Sequence, residues 1–423
     1  MRSSSSARLV AGVVLAQTCG MLGSATFAST LTELARLWHL DSTHAGWISS
    51  AYFLGYTLAV PLLVALTDRL DPRKIYLIGC LIGACAGVGF SHFANGLWSA
   101  SLLQALAGVG VGATYMPGLR ILTTRLDESA RIRAVPYYTT TFAVGTSLSY
   151  LLSGRAAVSY GWRTAFLAAG AGPLIAAVLV TVATWNIAPN VMPVQPEPRA
   201  TRHPLDFRPV LKNRQAMAYV LAYGGHCWEM FAFRAWLPAF LLFAWHRYGW
   251  ANPKLSVARW SMLIVLIGVP ASILGAESVA AGTRNRNIRR FEFASVAICL
   301  MGVACLGFSL WLAIAALFAY NVAIAADSGA LTAGAIVSAR PGEQGATLAV
   351  YSLVGFLGAG IGPLIAGLAL DGSGGFQSAH AWYFGFAAMG IGSALAAMAI
   401  TFTWKTRKRE DSVGDELRET LKR

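Results

Sequence analysis

Residues 66–74 read LTDRLDPRK and lie between two long apolar runs. The basic side chains of Arg69, Arg73 and Lys74 are too polar for hydrocarbon, and short loops that carry such charges stay on the cytoplasmic side of a membrane. This loop is therefore predicted to be cytoplasmic, and its position sets the direction of every other span. Asp68 adds a carboxylate to the three cations.

The composition excludes an ordinary soluble protein. Of the 423 residues, 56% are hydrophobic and 12% are charged, whereas soluble domains carry roughly a quarter charged residues. A net charge of +14 would suggest nucleic acid in a soluble domain, but here the charge lies in short loops, so no nucleic-acid partner is expected. The six cysteines all fall inside apolar runs without a C-x-x-C pair, so neither a metal site nor a cofactor is predicted from them.

Apolar runs of about 20 residues predict helices that span a bilayer. The first run, from Leu9, is too long for a signal-peptide core. Both termini are predicted to be cytoplasmic, because most of the 33 Lys and Arg residues then fall on that side. The predicted spans are 9–31, 45–66, 75–93, 97–119, 134–154, 164–185, 215–242, 259–281, 291–309, 311–337, 346–369 and 381–403.

The spans fall into two sets of six. A proline-containing polar segment separates the sets and is typical of a linker. Residues 64–69, after span 2, are echoed by residues 279–284 after span 8, which indicates an internal repeat. The predicted domains are an N-terminal bundle (1–185), a cytoplasmic linker (186–214), a C-terminal bundle (215–403) and a cytoplasmic tail (404–423), the tail being either solvated or a short surface helix.

The loop at 68–74 resembles the Asp-Arg-x-Gly-x-Arg-Lys loop between spans 2 and 3 of the major facilitator superfamily. Val64 and Asp71 stand where that loop has its leading and internal glycines. The resemblance covers nearly the whole chain. It implies an all-α integral membrane protein of 12 helices in two pseudo-symmetric six-helix bundles, with spans 1, 4, 7 and 10 along a central path.

The resemblance also implies a gating role for Asp68, Arg69 and Arg73. In relatives, contacts of this loop latch the two halves together on the cytoplasmic side. A carboxylate at residue 68 would stabilise the N-terminus of span 11, near Gly345, and would pair with Arg73 or Arg131.

Span 7 carries the most unusual side chains for a membrane helix. An arginine or a carboxylate at mid-bilayer costs roughly 2.5–3.5 kcal/mol, yet this span holds His226, Glu229 and Arg234. At about 100° per residue these side chains fit one arc of the helix, so this arc is predicted to line a cavity and to bind solute. Glu229 and Arg234 are five residues apart and therefore cannot form an i,i+4 pair.

Span 10 contributes Asn321 and Asp327. Asp327 falls near the membrane centre, where desolvation favours the protonated form of a lone carboxylate, so Asp327 is predicted to carry the coupling proton, with Glu229 as a second candidate. A permanent ion pair between Asp327 and Arg234 is the alternative. The helical wheel leaves about 100° between Asp327 and Ser328, so which of the two faces the path stays open.

Spans 1 and 4 offer further candidates for solute binding. Gln17 lies on a mildly polar stripe of span 1, and Tyr115 follows the small-residue seam of Gly108 and Gly112 in span 4. Relatives often have an arginine where Gln104 stands, so proton relays assigned to that arginine do not carry over.

These features predict a secondary transporter that moves a small, anionic solute by alternating access, with proton symport preferred. Three alternatives stay open: proton-driven efflux of drugs or metabolites, copper uptake through His226-x-x-x-Met230, and a non-transporting membrane sensor. No nucleophile–base or phosphate-loop pattern indicates an enzyme. The expected setting is a bacterial inner membrane, with protons and lipid as partners and the protein as a monomer.

Overall fold

The computed structural model describes residues 2–67, 70–185, 207–249, 253–277, 283–340 and 343–420. In these ranges all regular secondary structure is helical. The helices are α1 (Arg2–Gly20), α2 (Thr26–Leu37), α3 (Ser42–Leu66), α4 (Pro72–Phe93), α5 (Leu97–Arg125), α6 (Glu128–Tyr160), α7 (Trp162–Thr184), α8 (Arg208–Lys212), α9 (Arg214–Arg247), α10 (Pro253–Leu266), α11 (Gly268–Glu277), α12 (Arg284–Cys305), α13 (Leu310–Ala326), α14 (Ser328–Ser338), α15 (Gln344–Asp371) and α16 (Ala379–Thr420).

The helices follow the predicted spans. Nine helical segments of the described residues are long and apolar enough to cross a membrane. The pair α1–α2, α6 and α12 occupy the predicted positions of spans 1, 5 and 9 and carry more polar residues, so the arrangement is compatible with 12 spans. The backbone of α16 continues to Thr420, through the segment for which the sequence left a solvated tail or a short surface helix open.

Span 1 is interrupted between α1 and α2. Residues 21–25 form turns instead of a continuous helix, which frees backbone groups that need partners inside a membrane. Hydroxyls of α6 supply them: Ser149 Oγ accepts from the Ala25 N–H at 3.0 Å. Ser24 Oγ donates to Thr146 at 3.1 Å. The break is therefore stabilised by a helix more than 100 residues away.

Small residues allow close helix approach at two seams. Gly108 of α5 lies against the Tyr52 carbonyl of α3, and Gly358 of α15 lies against the Gly224 carbonyl of α9, with no room for a Cβ atom at either glycine. The first seam was predicted from the small residues of span 4.

The helices form two sets, α1–α7 and α9–α16, that meet along α3–α15, α6–α10 and α2–α9. We call the two ends of the bundle the Asp71 end, which carries the N-terminus, and the Asp371 end. At the Asp371 end the sets are in direct contact. The carboxylate of Asp371 accepts hydrogen bonds from the backbone N–H groups of Ser42 and Thr43, at 2.8 and 2.5 Å. Further along the same seam, the rings of Tyr56 and Phe356 lie 3.9 Å apart between centroids.

Asp71 explains why α4 begins where it does. Its carboxylate caps the helix by accepting from the Arg73 N–H at 2.9 Å, and Pro72 suits the first helical position. Burial raises the pKa of Asp71, but hydrogen bonds and charge from Arg73, with further charge from Arg125, outweigh that effect. The net result is a pKa of Asp71 below its usual value.

Candidate functional site

A small pocket with a cavity volume of about 50 Å³ lies where α9 faces the first helix set. The polar groups are supplied by α3, α5, α6, α9 and the break before α2, and the remaining lining is apolar or aromatic. The lining residues are Ser24, Ala25, Phe27, Ala28, Ser49, Tyr52, Phe53, Gln104, Phe142, Thr146, Tyr150, Phe231, Arg234 and Ala235.

Arg234 is the charged residue of this lining. Its backbone carbonyl accepts a hydrogen bond from Tyr150 at 2.5 Å, which ties α9 to α6. Its guanidinium carbon lies 5.5 Å from the Phe231 ring centroid. Among the described residues no carboxylate comes within 4 Å of this guanidinium. The pocket therefore carries a positive charge that the described part of the chain does not neutralise.

Aromatic rings surround this charge. Phe231 packs on Phe53 and Phe142, with ring centroids 4.5 and 5.8 Å apart, and Tyr52 contacts Phe53 edge to face. Gln104 lies in the same wall and is buried. The lining therefore presents aromatic rings on one side and a hydrogen-bonding amide on the other.

Glu229 lies away from this pocket, in the core of the second helix set. It is 1% exposed and accepts three hydroxyl hydrogen bonds. Tyr320 donates at 2.8 Å and Ser295 at 3.0 Å, and Ser393 is also in direct contact. Hydroxyls are donors and acceptors, so the same three groups can hydrogen-bond the ionised carboxylate and the carboxylic acid.

His226, Glu292 and Asp327 form a second buried polar group in the same core. One ligand-type atom from each residue lies within 4.8 Å of the others. Nδ1 of His226 is 2.8 Å from Oδ1 of Asp327. Asp327 stands at the junction of α13 and α14, and it takes His226 as its near neighbour where the sequence offered Arg234 as an alternative partner.

The remaining residues predicted to bind solute lie outside the pocket lining. Gln17 is fully buried and accepts from the Tyr138 hydroxyl at 3.2 Å. Tyr115 packs on Phe142, which does line the pocket, with ring centroids 5.8 Å apart. Asn321 donates to the Ile264 carbonyl at 2.8 Å. Their assignment to solute binding stays a prediction.

Two of the three predicted gating residues, Asp68 and Arg69, lie outside the described residues. Arg73 is described, and its guanidinium pairs with Asp71 at 2.6 and 2.9 Å. It also donates to the Thr184 carbonyl at 3.2 Å. These Arg73 contacts join helices of the first set.

Glu292 is the main residue that sequence reasoning missed. It follows Arg289 and Arg290 at the start of predicted span 9, so it had the pattern of a surface charge at a helix end. The structure places it eight residues into α12 and buries it to 2% exposure. A carboxylate inside a predicted span was the available signal.

A sequence profile described as Major Facilitator Superfamily matches residues 13–339. The chain is 24% identical to the gentisate transporter of Corynebacterium glutamicum over 402 residues, which covers 90% of this chain and 84% of that protein. It is 20% identical to the niacin transporter NiaP of Acinetobacter baylyi over 248 residues, or 52% of this chain and 56% of that protein. In several other curated relatives the match spans half of their length or less.

Among solved structures, the chain is similar to a bacterial homolog of the human lysosomal transporter Spinster in an inward-facing, unoccupied conformation. The TM-score is 0.75 at 14% identity, and the alignment covers 94% of this chain and 96% of that one. At this identity the likeness concerns the fold alone.

Proposed function

Because this chain belongs to the major facilitator superfamily, we propose that it is a secondary active transporter that carries a small aromatic carboxylate by alternating access. The observation that carries the proposal is the Arg234 guanidinium, which lies in a pocket facing both helix sets without a carboxylate partner among the described residues. A buried cation is costly unless it is paired, and a solute carboxylate would supply the missing charge through two parallel hydrogen bonds.

The pocket lining supports an aromatic solute over an aliphatic one. Phe53, Phe142 and Phe231 offer ring faces and edges near the charge. Gln104 and Thr146 can hydrogen-bond ring substituents. Gentisate and niacin, which name two of the relatives, both combine a carboxylate with an aromatic ring. A positive charge in the pocket also disfavours the amphipathic cations that a drug-efflux role would require.

We propose that the described conformation is closed toward the outside. The two helix sets are in contact at the Asp371 end, and the N-terminus lies at the opposite end. With both termini in the cytoplasm of a bacterial inner membrane, as the distribution of Lys and Arg predicts, the Asp371 end faces the periplasm. Uptake by a monomer together with protons remains the preferred direction and mode.

For proton coupling we propose Glu229. Its three hydroxyl partners can satisfy either protonation state, which suits a group that must gain and lose a proton in a dry core. Asp327, the other carboxylate predicted for coupling, stays a sequence prediction.

The test of solute class uses the purified full chain in proteoliposomes. Counterflow of nicotinate and benzoate is compared with that of their uncharged amides, nicotinamide and benzamide. We expect exchange of the acids, and about 10- to 100-fold weaker apparent affinity in Arg234→Gln, equivalent to about 1.4–2.8 kcal/mol. Arg163→Gln is the control, because Arg163 is an exposed arginine stacked on Trp162. Equal exchange of acids and amides, or an unaffected Arg234→Gln variant, would refute the aromatic-acid proposal.

The test of coupling separates exchange from accumulation. Glu229→Gln should retain counterflow, because that exchange needs no net proton movement, and should lose accumulation driven by a pH gradient. If the variant still concentrates solute when the lumen is alkaline, Glu229 is not the proton carrier.

A further inference from the structure

His226, Glu292 and Asp327 come from three separate parts of the fold. His226 lies on α9 and Glu292 on α12, while Asp327 interrupts the helix between α13 and α14. Each residue is 2% exposed, and one nitrogen and two carboxylate oxygens lie within 4.8 Å of one another. The pocket around Arg234 does not include any of the three.

Two oxygens of this group have no hydrogen-bond partner among the described residues: Oε1 of Glu292 and Oδ1 of Asp327. Buried polar atoms are normally paired, so two orphan carboxylate oxygens beside an imidazole indicate a missing ligand. The Asp327 oxygen is 2.8 Å from Nδ1 of His226 but is not hydrogen-bonded to it. Two ligands of one metal ion at bond lengths of about 2.0–2.1 Å and a right angle would lie about 2.9 Å apart.

The negative charge of the two carboxylates in this group requires a nearby positive charge. Two carboxylates lie together in a membrane protein core, and among the described residues no Arg or Lys pairs with either. Nδ1 of His226 and Oδ1 of Asp327 are 2.8 Å apart, but Oδ1 of Asp327 has no hydrogen-bond partner among the described residues. A divalent cation with two carboxylates and a neutral imidazole gives zero net charge without a hydrogen bond between those two atoms.

We propose that His226, Glu292 and Asp327 bind one first-row divalent transition-metal ion, such as Mn²⁺, Fe²⁺, Co²⁺ or Zn²⁺. One imidazole and two carboxylates suit these ions, whereas Cu⁺ prefers sulfur ligands and Ca²⁺ prefers oxygen alone. The ion joins α9 and α12 to the α13–α14 junction. With Asp327 engaged as a ligand, proton coupling is left to Glu229.

The experiment measures metal in the full chain, purified in lipid nanodiscs and equilibrated with Mn²⁺ or Zn²⁺ before unbound ion is removed. Elemental mass spectrometry should find about one ion per chain. Glu292→Gln and Asp327→Asn should each weaken binding at least tenfold. Glu229→Gln is the matched control, because it also removes a buried carboxylate of the same core but leaves all three ligands, and it should retain the full metal content.

A second measurement distinguishes a loss of metal binding from a failure of the variant to fold. Co²⁺ added to wild-type protein should give a ligand-field absorption spectrum of bound ion, and Zn²⁺ should displace it. Glu292→Gln protein that elutes as wild type in gel filtration should lack that spectrum.

Wild-type protein without stoichiometric metal would overturn the proposal and would indicate a proton shared between the acids. Equal loss of metal in Glu229→Gln, or none in Glu292→Gln, would overturn it as well. None of these measurements requires solute or transport, so the metal site can fail while the proposed transport function holds, and the reverse.

Discussion

The contact between Asp371 and the start of α3 should control opening at the Asp371 end. The carboxylate belongs to the second helix set, and the two N–H groups that it accepts from, those of Ser42 and Thr43, belong to the first. Any opening between the sets at this end must break both hydrogen bonds. Asp371→Asn keeps the shape of the side chain but removes its charge, so it weakens this contact selectively.

The magnitude follows from the contact itself. Charge-assisted hydrogen bonds are roughly twice as strong as neutral ones and contribute about 1.5–3 kcal/mol each. A carboxylate at a helix N-terminus adds about 0.3–1 kcal/mol. Asp371 is half-buried, and asparagine can still accept one bond, so we expect a loss of about 1–2 kcal/mol. That loss should raise the ratio of open to closed molecules by about 5- to 30-fold.

The assay is a distance measurement between spin labels at the Asp371 end. Arg36→Cys on α2 and His380→Cys on α16 place one label on each helix set at exposed positions. The exposed native Cys85 is replaced by serine. In nanodiscs, Asp371→Asn should increase the long-distance population relative to the parent protein.

Asp41→Asn is the control for this measurement. Asp41 lies in the same region and accepts from the His44 N–H at 2.7 Å, but both residues belong to the first helix set. Its removal should leave the distance distribution unchanged. If Asp371→Asn also leaves it unchanged, or if both variants shift it equally, the contact does not hold the two sets together.

Three further predictions concern stability and specificity. Asp71→Asn should lower the free energy of unfolding by about 1 kcal/mol at neutral pH. Because the folded pKa of Asp71 is lowered, the stabilisation by its carboxylate is complete above the unfolded pKa of about 3.9 and is lost as the pH falls below it. The thermal midpoints of the variant and the wild type should therefore converge in acid. Gly358→Leu should abolish a monodisperse gel-filtration peak, because its side chain would meet the α9 backbone, whereas Gly345→Ala has open space and should elute normally. In counterflow, the affinity of Arg234→Lys for aromatic acids should lie between that of Arg234→Gln and that of the wild type. Lysine retains the positive charge but lacks the planar pair of donors of arginine. Equal affinities for the two variants would contradict the role of charge.

Hydropathy predicted the long helices well, because each span must satisfy its own backbone hydrogen bonds in lipid. It could not predict the interruptions. Residues 21–25 are compatible with a helix, and what stabilises their break is Ser149 and its neighbours on α6. Contacts between residues distant in sequence therefore decide where the break after α1 lies.

The arrangement around α9 was only partly predictable. The sequence placed His226, Glu229 and Arg234 on one arc, which implied a single cavity. In the structure Arg234 faces the pocket, whereas Glu229 contacts α12, α13 and α16. The helical wheel gives the direction of each side chain from its own helix, but the neighbouring helices decide whether that direction leads to a pocket or to a packed core.

This separation gives α9 a specific place in the proposed mechanism. The residue proposed to bind solute, Arg234, and the residue proposed to carry the proton, Glu229, lie five residues apart on one helix, a rise of about 7.5 Å, and they face different helix neighbours. In this proposal, protonation of Glu229 would change the hydrogen bonds that join α9 to α12, α13 and α16. Solute at Arg234 would change the contact of α9 with α6, where Tyr150 already donates a hydrogen bond to the α9 backbone. A single rigid helix that both events bias toward one position is sufficient to link them. In this mechanism neither ligand needs to contact the other.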